Sequence, residues 1–180
     1  SAPKDKSEWS PIQDITVENC VFWSDNNNGI IVGTETRASV IERIVFRNID
    51  LVKCSNTCGD VAGAMAVVSL HDTALRDIIF EDIRIEHATG PWFNAFFTDS
   101  IFGIPGMRCP WGGSIRNITL RNISITGGPL RPAYLRGYDQ NHTIENVCVE
   151  GFQVYGQEIK EPRDARFVMG EFVSGFTWHG

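Results

Sequence analysis

The 180-residue sequence lacks long hydrophobic runs and has no cluster of basic residues. No apolar segment approaches the roughly 20 residues that a membrane-spanning helix needs, so we expect no membrane span. The polar start SAPKDKSEWSP has no apolar stretch of the signal-peptide kind, and it fits a mature start, an engineered start or a piece of a longer protein. With 16 Lys and Arg against 22 Asp and Glu the net charge is −6, which argues against a nucleic-acid partner.

Cysteines are few, and their odd number leaves at least one unpaired within the chain. They are Cys20, Cys54, Cys58, Cys109 and Cys148. The spacing of Cys54 and Cys58 suits a short-loop disulfide, or a metal site completed by His71. That spacing matches no closed zinc pattern, so we expect no bound metal and no cofactor.

A repeated pattern dominates the sequence. Five segments read apolar, two polar, apolar, any, apolar, charged, Asn-like, apolar, any, apolar: IQDITVENCVF, IERIVFRNIDL, LRDIIFEDIRI, IRNITLRNISI and IENVCVEGFQV. They begin at residues 12, 41, 75, 115 and 144, so the offsets are 29, 34, 40 and 29 residues. Such a period with insertions is typical of stacked repeats that bury a core between neighbours.

Within each repeat the pattern predicts a strand, a bend and a second strand. Ile15 and Val17 alternate with Thr16, which is the two-residue period of a strand with one buried face. The predicted bend residues, which tolerate turn conformations, are Asn19, Asn48, Asp82, Asn122 and Gly151. The predicted inward column is Ile15, Ile44, Ile78, Ile118 and Val147. Helical repeats fit poorly because the segments are rich in Ile, Val, Thr and Phe and hold no 3.6-residue period.

A further strand follows in each repeat. The segments are GIIVGTE (29–35), GAMAVVSL (63–70), FNAFFTD (93–99), PAYLRGY (132–138) and RFVMGEFV (166–173). We therefore predict an all-β fold, a β-solenoid of about five turns. It comprises a polar N-terminal segment (1–11), parallel β-helix coils (12–156) and a C-terminal cap with the last strand (157–180).

The repeat also assigns structural roles to residues that look functional. Cys20 falls in an inward column, so we expect a small core residue and no nucleophile. Asn117, Asn122 and Asn141 lie in N-x-S/T triplets. The first two lie inside the strand pattern, where turns and ladders are the expected role in place of glycan attachment.

The run ITVENCVFW…GIIVGTET…IERIVFRNIDL resembles the polygalacturonase family of glycoside hydrolases, and the similarity extends over most of the chain to FVSGFTW. Gly29, Ile30 and Gly33 match the family's Gly-His-Gly-Ile-Ser-Ile-Gly-Ser stretch, and Asn28 stands where the family has its active-site histidine. The resemblance implies a right-handed parallel β-helix of the pectin-lyase type, an extracellular, periplasmic or cell-surface location, and a polysaccharide or oligosaccharide partner.

The chain departs from the family at its catalytic motifs. The Asn-Thr-Asp and paired Asp-Asp motifs find no match before residue 28, and Ala64-Met65-Ala66-Val67 replaces the expected Arg-Ile-Lys. The chain thus looks like the C-terminal coils of such a protein. Inverting hydrolysis by two carboxylic acids needs the missing pair, so the family's chemistry is not carried over.

A replacement catalytic site is expected where the further strand of each repeat (GIIVGTE and its equivalents) ends. Equivalent residues on neighbouring turns lie about 5 Å apart, so a solenoid builds a site from a column. The candidate catalytic residues are Glu35, His71, Asp72 and Asp99. Two such carboxylates act as acid and base if burial or the neighbouring charge raises one pKa. The alternative is a solvated charged rim.

Tryptophans in the loops are a second indication. Trp92 and Trp111 lie in insertions of the longest turn, and exposed aromatic rings on a rigid scaffold stack on sugars. Packing of the loop against the barrel is the alternative role. The candidate substrate-binding residues are Asn28, Arg37, Trp92, Trp111 and Arg136.

Two functions remain open. The first is a glycoside hydrolase acting on a plant-type polysaccharide, with catalytic residues partly upstream or replaced by the column. The second is a non-catalytic β-helix module that binds saccharide or a partner protein. Because an open solenoid end exposes strand edges, we also expect the first repeat to be covered by end-to-end association of copies or by upstream coils.

Overall fold

The fold is taken from a computed structural model, which describes residues 8–55, 63–70, 73–98 and 114–180. These residues form fourteen β-strands and no α-helix. The strands are β1 (Ile12–Ser24), β2 (Ile30–Thr34), β3 (Val40–Cys54), β4 (Met65–Ser69), β5 (Ala74–Ile85), β6 (Phe93–Phe97), β7 (Ile115–Ile125), β8 (Ala133–Arg136), β9 (Ile144–Glu150), β10 (Gln153–Val154), β11 (Gln157–Glu158), β12 (Phe167–Met169), β13 (Val173–Ser174) and β14 (Thr177–His179). In the described part of the chain, no helix has the length and apolar character needed to cross a bilayer.

The strands form two sheets. The larger sheet has nine strands and begins with the order β1-β3-β5-β7. Both β9 and β10 then pair with β7. Strands β13 and β14 pair with β9, and β11 pairs with β10. The smaller has five strands in the order β12-β8-β6-β4-β2. Apart from the antiparallel β10–β11 pair, the strand pairs are parallel. The architecture is all-β with parallel strands, as in a β-helix or solenoid.

The register is the one that the repeat predicts. Ile15 pairs with Ile44, Ile44 with Ile78, Ile78 with Ile118, and Ile118 with Val147. The last four of these side chains are at most 3% exposed. Because equivalent positions stack directly, each buried column continues through the sheet, and it packs against the inner face of the smaller sheet in one hydrophobic core.

Each long strand is bent at the predicted position. Asn19, Asn48, Asp82 and Asn122 have φ between 52° and 57°, and Gly151 has φ 66°. Short polar side chains and glycine tolerate this left-handed conformation better than other residues do. The bend side chains also form a hydrogen-bonded ladder, since Asn48 Nδ2 donates to Asn19 Oδ1 (2.7 Å) and Asn122 Nδ2 donates to Asp82 Oδ1 (3.0 Å).

A second column of bends, which the repeat pattern does not predict, lies five residues earlier. Its positive-φ members are Asp14, Arg43, Asp77, Asn117 and Asn146. Asn117 Nδ2 donates to Asp77 Oδ1 at 2.8 Å, and Asn146 Nδ2 donates to Asn117 Oδ1 at 3.2 Å. Asn117 and Asn122 therefore have the turn and ladder roles expected of them.

Charged residues of alternating sign line one outward column of the larger sheet. In register the column reads Glu18, Arg47, Glu81, Arg121 and Glu150. Arg47 lies 2.6 Å from Glu18, and Arg121 lies 3.0 Å from Glu81 and 2.8 Å from Glu150. The hydrogen bond from Arg121 lowers the pKa of Glu150 below its ordinary value.

We expect Arg121→Gln to reduce stability at neutral pH but hardly at all in acid. A depressed carboxyl pKa stabilises the fold above the ordinary value of 4.5, and this contribution disappears as pH falls through the folded-state pKa. The partners are 42% and 38% exposed, so solvent screening limits the loss to about 1 kcal/mol. Urea unfolding at pH 7 and pH 3 measures it. The control is Arg163→Gln, which removes an ion pair with Asp164 in which the arginine side chain is 84% exposed. A loss of stability of equal size at both pH values in Arg121→Gln would contradict the prediction.

Candidate functional site

The strand ends of the smaller sheet lie side by side, at the place where the sequence predicts a column of catalytic residues. Thr34, Ser69 and Phe97 are paired in register at the ends of β2, β4 and β6, and Thr98 N donates to Ser69 O at 3.0 Å. Glu35 follows Thr34 and is exposed. His71, Asp72, Asp99 and Trp111 lie outside the described residues. The acid–base pairing proposed for this column therefore stays a prediction, with Glu35 as its one described member.

Two further candidates lie on the corners around β2. Asn28 Oδ1 accepts a hydrogen bond from the backbone N–H of Gly63 at 2.8 Å, so its side chain joins the start of β2 to the start of the β4 segment. Arg37 is exposed in the connection from β2 to β3. Asn28 thus has a structural bond at the position where the resembling family places its histidine.

Two roles were expected for Trp92, sugar binding and packing of the loop, and the structure shows packing. Its side chain is 1% exposed, and its indole N–H donates to Ala165 O at 3.0 Å. The ring lies 4.5 Å from that of Phe152 and 5.6 Å from that of Phe167, between centroids. A ring enclosed in this way has no free face for a sugar, so the expectation that Trp92 binds substrate is wrong.

Arg136 belongs to a cluster on the outward face of the smaller sheet. Neighbouring strands pair Asn94 with Tyr134 and Phe96 with Arg136, so four side chains form a block two strands wide. The guanidinium carbon of Arg136 lies 5.1 Å from the ring centre of Phe96 and 5.2 Å from that of Tyr134. Its Nη2 donates to Asn94 Oδ1 at 3.3 Å. We call these four residues the Arg136 cluster.

The Arg136 cluster holds an exposed cation in a fixed position. Aromatic rings attract a guanidinium through their quadrupole, and they restrict it without consuming its hydrogen-bond donors. In the described part of the chain, no carboxylate forms an ion pair with Arg136. An exposed guanidinium held between aromatic rings suits a carboxylate or a set of hydroxyl groups.

Beside the cluster the outward face is apolar and covered. Ala66, Val68 and Phe96 form a second hydrophobic cluster, separate from the main core, with at most 7% exposure. Strand β4 is buried along its whole length. Only the β8 side of this face therefore presents polar groups to solvent among the strands described, and Arg136 lies there.

A histidine–carboxylate pair, which the sequence analysis missed, follows the same strand β8. His142 Nδ1 lies 2.7 Å from Asp139 Oδ1, which also accepts the backbone N–H groups of Asn141 and His142. These hydrogen bonds, that of the His142 ring foremost, lower the pKa of Asp139. Among the described residues the buried His142 Nε2 has no hydrogen-bond partner, and the exposed ring of Tyr138 lies 5.8 Å from the His142 ring between centroids. The spacing Asp-x-x-His in a turn was the signal available in the sequence.

A shallow groove on the outer side of the larger sheet is a weaker candidate for a binding site. Its arginine, Arg84, already donates to Asp50, to Asn48 Oδ1 (3.0 Å) and to Asp82 O (3.3 Å). The groove is lined by Asn48, Asp82, Arg84, Asn122, Ile123, Ser124, Gly151 and Gln153. A guanidinium whose three nitrogens are occupied is a structural group, so we do not place the site here.

The described cysteines are free thiols. Cys54 is 2% exposed, and burial raises its pKa to about 11. The alternative of a disulfide from Cys54 to Cys58 is therefore not realised, and Cys58 and Cys109 lie outside the described residues. Cys20 pairs in register with Ile49 and packs against the core, as expected. No group of three or more His, Cys, Asp or Glu in the described segments is arranged to hold a metal ion.

Comparison of the chain with family models, with curated proteins and with solved structures found no match. The resemblance to polygalacturonases stays a prediction from the sequence.

Proposed function

We propose that this protein is carbohydrate-active and polygalacturonase-like, and that it acts on the glycosidic bonds of a plant-type polysaccharide outside the cell, in the periplasm or at the cell surface. Its scaffold in this proposal is a right-handed β-helix of about five turns. Crossover connections between parallel strands of one sheet are right-handed in about 98% of cases, which supports the handedness. Five register-paired strands in the smaller sheet support the number of turns.

The observation that carries the proposal is the Arg136 cluster. A saccharide ring has an apolar face that packs on an aromatic side chain and polar groups at its rim that take hydrogen bonds. Tyr134 and Arg136 offer these two kinds of contact on one strand, two residues apart and on the same face. A uronic acid suits the cluster best, because its carboxylate complements the guanidinium.

We expect Arg136→Ala to lose most of the affinity for oligogalacturonates, at least about tenfold, since a charge-assisted hydrogen bond contributes about 1.5–3 kcal/mol. Arg136→Lys keeps the charge but loses the planar donors, so it recovers the affinity only partly. Calorimetric titration with acidic and with neutral oligosaccharides measures both. Arg163→Ala, at an exposed arginine outside the cluster, is the matched control.

Binding of neutral and acidic sugars with equal affinity, or an unchanged affinity in Arg136→Ala, would remove the cluster from the proposal. Equal losses in Arg136→Ala and Arg163→Ala would do the same, because they would show a general charge effect. Thermal unfolding of each variant separates loss of binding from loss of fold.

The hydrolytic step in this proposal belongs to the strand-end column. We expect Asp72→Asn and Asp99→Asn to abolish hydrolysis of polygalacturonate while the melting temperature stays nearly unchanged. Fully active variants would leave the solvated rim as the role of these carboxylates.

A non-catalytic module is the second candidate. It is favoured by the composition of the Arg136 cluster, which holds a cation, two rings and an amide but no carboxylate to act as acid or base. Saccharide binding without turnover on a screen of plant glycans supports this candidate; turnover supports the hydrolase.

A further inference from the structure

Three asparagines begin the triplet N-x-S/T, at Asn117, Asn122 and Asn141. This triplet is the acceptor signal for N-linked glycans, in which an oligosaccharide is joined to the asparagine side chain. Its middle residue must not be proline, and none of the three has a proline there. All three triplets therefore have the required chemistry, and their surroundings in the fold decide which of them can carry a glycan.

Two of the triplets lie inside strand β7, which has paired strands on both sides. Asn117 Nδ2 donates to Asp77 Oδ1 at 2.8 Å, and Asn122 Nδ2 donates to Asp82 Oδ1 at 3.0 Å. The two nitrogens thus belong to ladders whose step is the spacing of neighbouring strands, about 4.8 Å. A sugar ring on either nitrogen would have to fit beside the side chain of the preceding repeat, so these positions suit ladder bonds and not glycans.

Asn141 lies in a different setting, the turn between β8 and β9. Asp139 and His142 form an isolated antiparallel bridge, with a backbone hydrogen bond from His142 N to Asp139 O at 3.1 Å. Residues 140 and 141 therefore form the tip of a two-residue turn, and both are exposed. Exposed turn tips tolerate inserted or attached groups, since little of the fold packs against them.

The bonds that hold this turn run through Asp139. Its Oδ1 accepts the backbone N–H groups of Asn141 (2.8 Å) and His142 (3.0 Å), and it lies 2.7 Å from His142 Nδ1. The His142 side chain is 7% exposed, and its ring lies 5.5 Å from that of Phe97 between centroids. The middle residue of the triplet is thus anchored in the fold, while the asparagine before it is exposed. A glycan on Asn141 would leave these bonds in place, because they use its backbone N–H and not its side chain.

We infer that Asn141 is an attachment site for an N-linked oligosaccharide. In the transfer, Asn141 Nδ2 forms a bond to C1 of the first sugar of an oligosaccharide carried on a polyprenyl pyrophosphate. The C1–O bond to the pyrophosphate breaks, polyprenyl pyrophosphate leaves and Nδ2 loses one proton, so the step needs no oxidant or reductant. The inference rests on the location outside the cell that we propose for the protein, since N-linked glycans are attached to secreted proteins.

The test uses the full chain, secreted from a eukaryotic cell behind a cleavable signal peptide. Intact mass is measured before and after treatment with a peptide N-glycosidase, which removes the glycan and leaves an aspartate at the modified position. Peptide mapping then locates that aspartate. We expect one glycan, at Asn141, with Asn117 and Asn122 unmodified.

Two substitutions of Thr143 form a matched pair. Thr143→Val removes the hydroxyl of the triplet, so we expect complete loss of the glycan mass, as in Asn141→Gln. Thr143→Ser keeps the hydroxyl, which donates to Glu145 Oε1 at 2.7 Å in the wild type, and it should keep the glycan. Thermal unfolding of each variant confirms the fold. For a variant that is poorly secreted, translation with microsomal membranes gives the same readout as a glycosidase-sensitive shift in electrophoretic mobility.

An unmodified Asn141 in the wild-type chain would overturn the inference. A glycan at Asn117 or Asn122 would overturn the argument from the ladders, and retention of the whole glycan mass in Asn141→Gln would place the modification elsewhere. Calorimetric titration with oligogalacturonates keeps this test apart from the proposed function. A chain that binds the saccharide but has no glycan contradicts this inference alone, whereas a glycosylated chain that binds no saccharide contradicts the proposed function alone.

Discussion

Trp92→Ala is expected to cost about 3–5 kcal/mol of unfolding free energy, the range for loss of a large aromatic side chain from a core. The ring is 1% exposed and contacts Phe93, Phe152 and Phe167, which come from three different parts of the chain. Its N–H bond to Ala165 O also disappears, leaving that carbonyl unsatisfied in a fully buried residue. Urea unfolding measures the loss.

Trp23→Ala is the matched control. That ring is 63% exposed, with the Lys53 ammonium 5.4 Å from the ring centre and a hydrogen bond to the Asp25 carboxylate, so we expect a loss below about 1 kcal/mol. Trp92→Phe should fall between the two, since it keeps most of the volume but loses the hydrogen bond. If Trp92→Ala had wild-type stability and weakened sugar binding, the ring would have the sugar-binding role expected from the sequence and the prediction would be wrong.

Much of the larger sheet could be predicted because equivalent positions of its repeats stack in register over most of each strand, with one register shift between Phe22 and Trp23. The pattern fixes the residue that faces inward in every repeat, so a single correct alternation at Ile15 predicts the register from Ile44 to Val147. The bend at Asn19 and its equivalents was predictable for a local reason, namely that asparagine, aspartate and glycine tolerate positive φ.

The earlier bend column could not be read in the same way. One of its members, Arg43, has φ 54°, although arginine has no local preference for that conformation. Its guanidinium forms hydrogen bonds with both carboxylate oxygens of Asp14, one repeat earlier in the same column. Contacts between repeats therefore hold the bend, and a scan for turn-forming residues does not detect them.

The strand ends of the smaller sheet were predictable from the sequence, whereas the Arg136 cluster was not. Ends of parallel strands fall at one edge of a sheet, so the column from Thr34 to Phe97 followed from the strand assignment. The Arg136 cluster depends on residue pairs between β6 and β8. The strands of the smaller sheet vary too much in sequence for their mutual register to be read. The expectation that Trp92 binds sugar was wrong because loop tryptophans point inward or outward from similar local sequences.

Ile118→Ala tests the register itself, and we expect it to cost about 2–5 kcal/mol. Ile118 is fully buried, with Ile78 and Val147 stacked on either side and also fully buried. Neighbours held by two strand pairings cannot shift to fill the space, so a cavity remains and the cost lies above that of transfer to water alone.

The next residue supplies the control, because side chains alternate between the two faces of a strand. Thr119 is half-buried and pairs with Ile79 and Cys148 in an outward column, so Thr119→Ala should cost less than about 1 kcal/mol. Urea unfolding of both variants gives the difference. Small and equal losses would mean that the two faces are not distinguished at this strand, and a larger loss at Thr119 would shift the register by one residue. Either result would also remove the assignment of Glu18 and Arg121 to one outward column, since both rest on the same alternation.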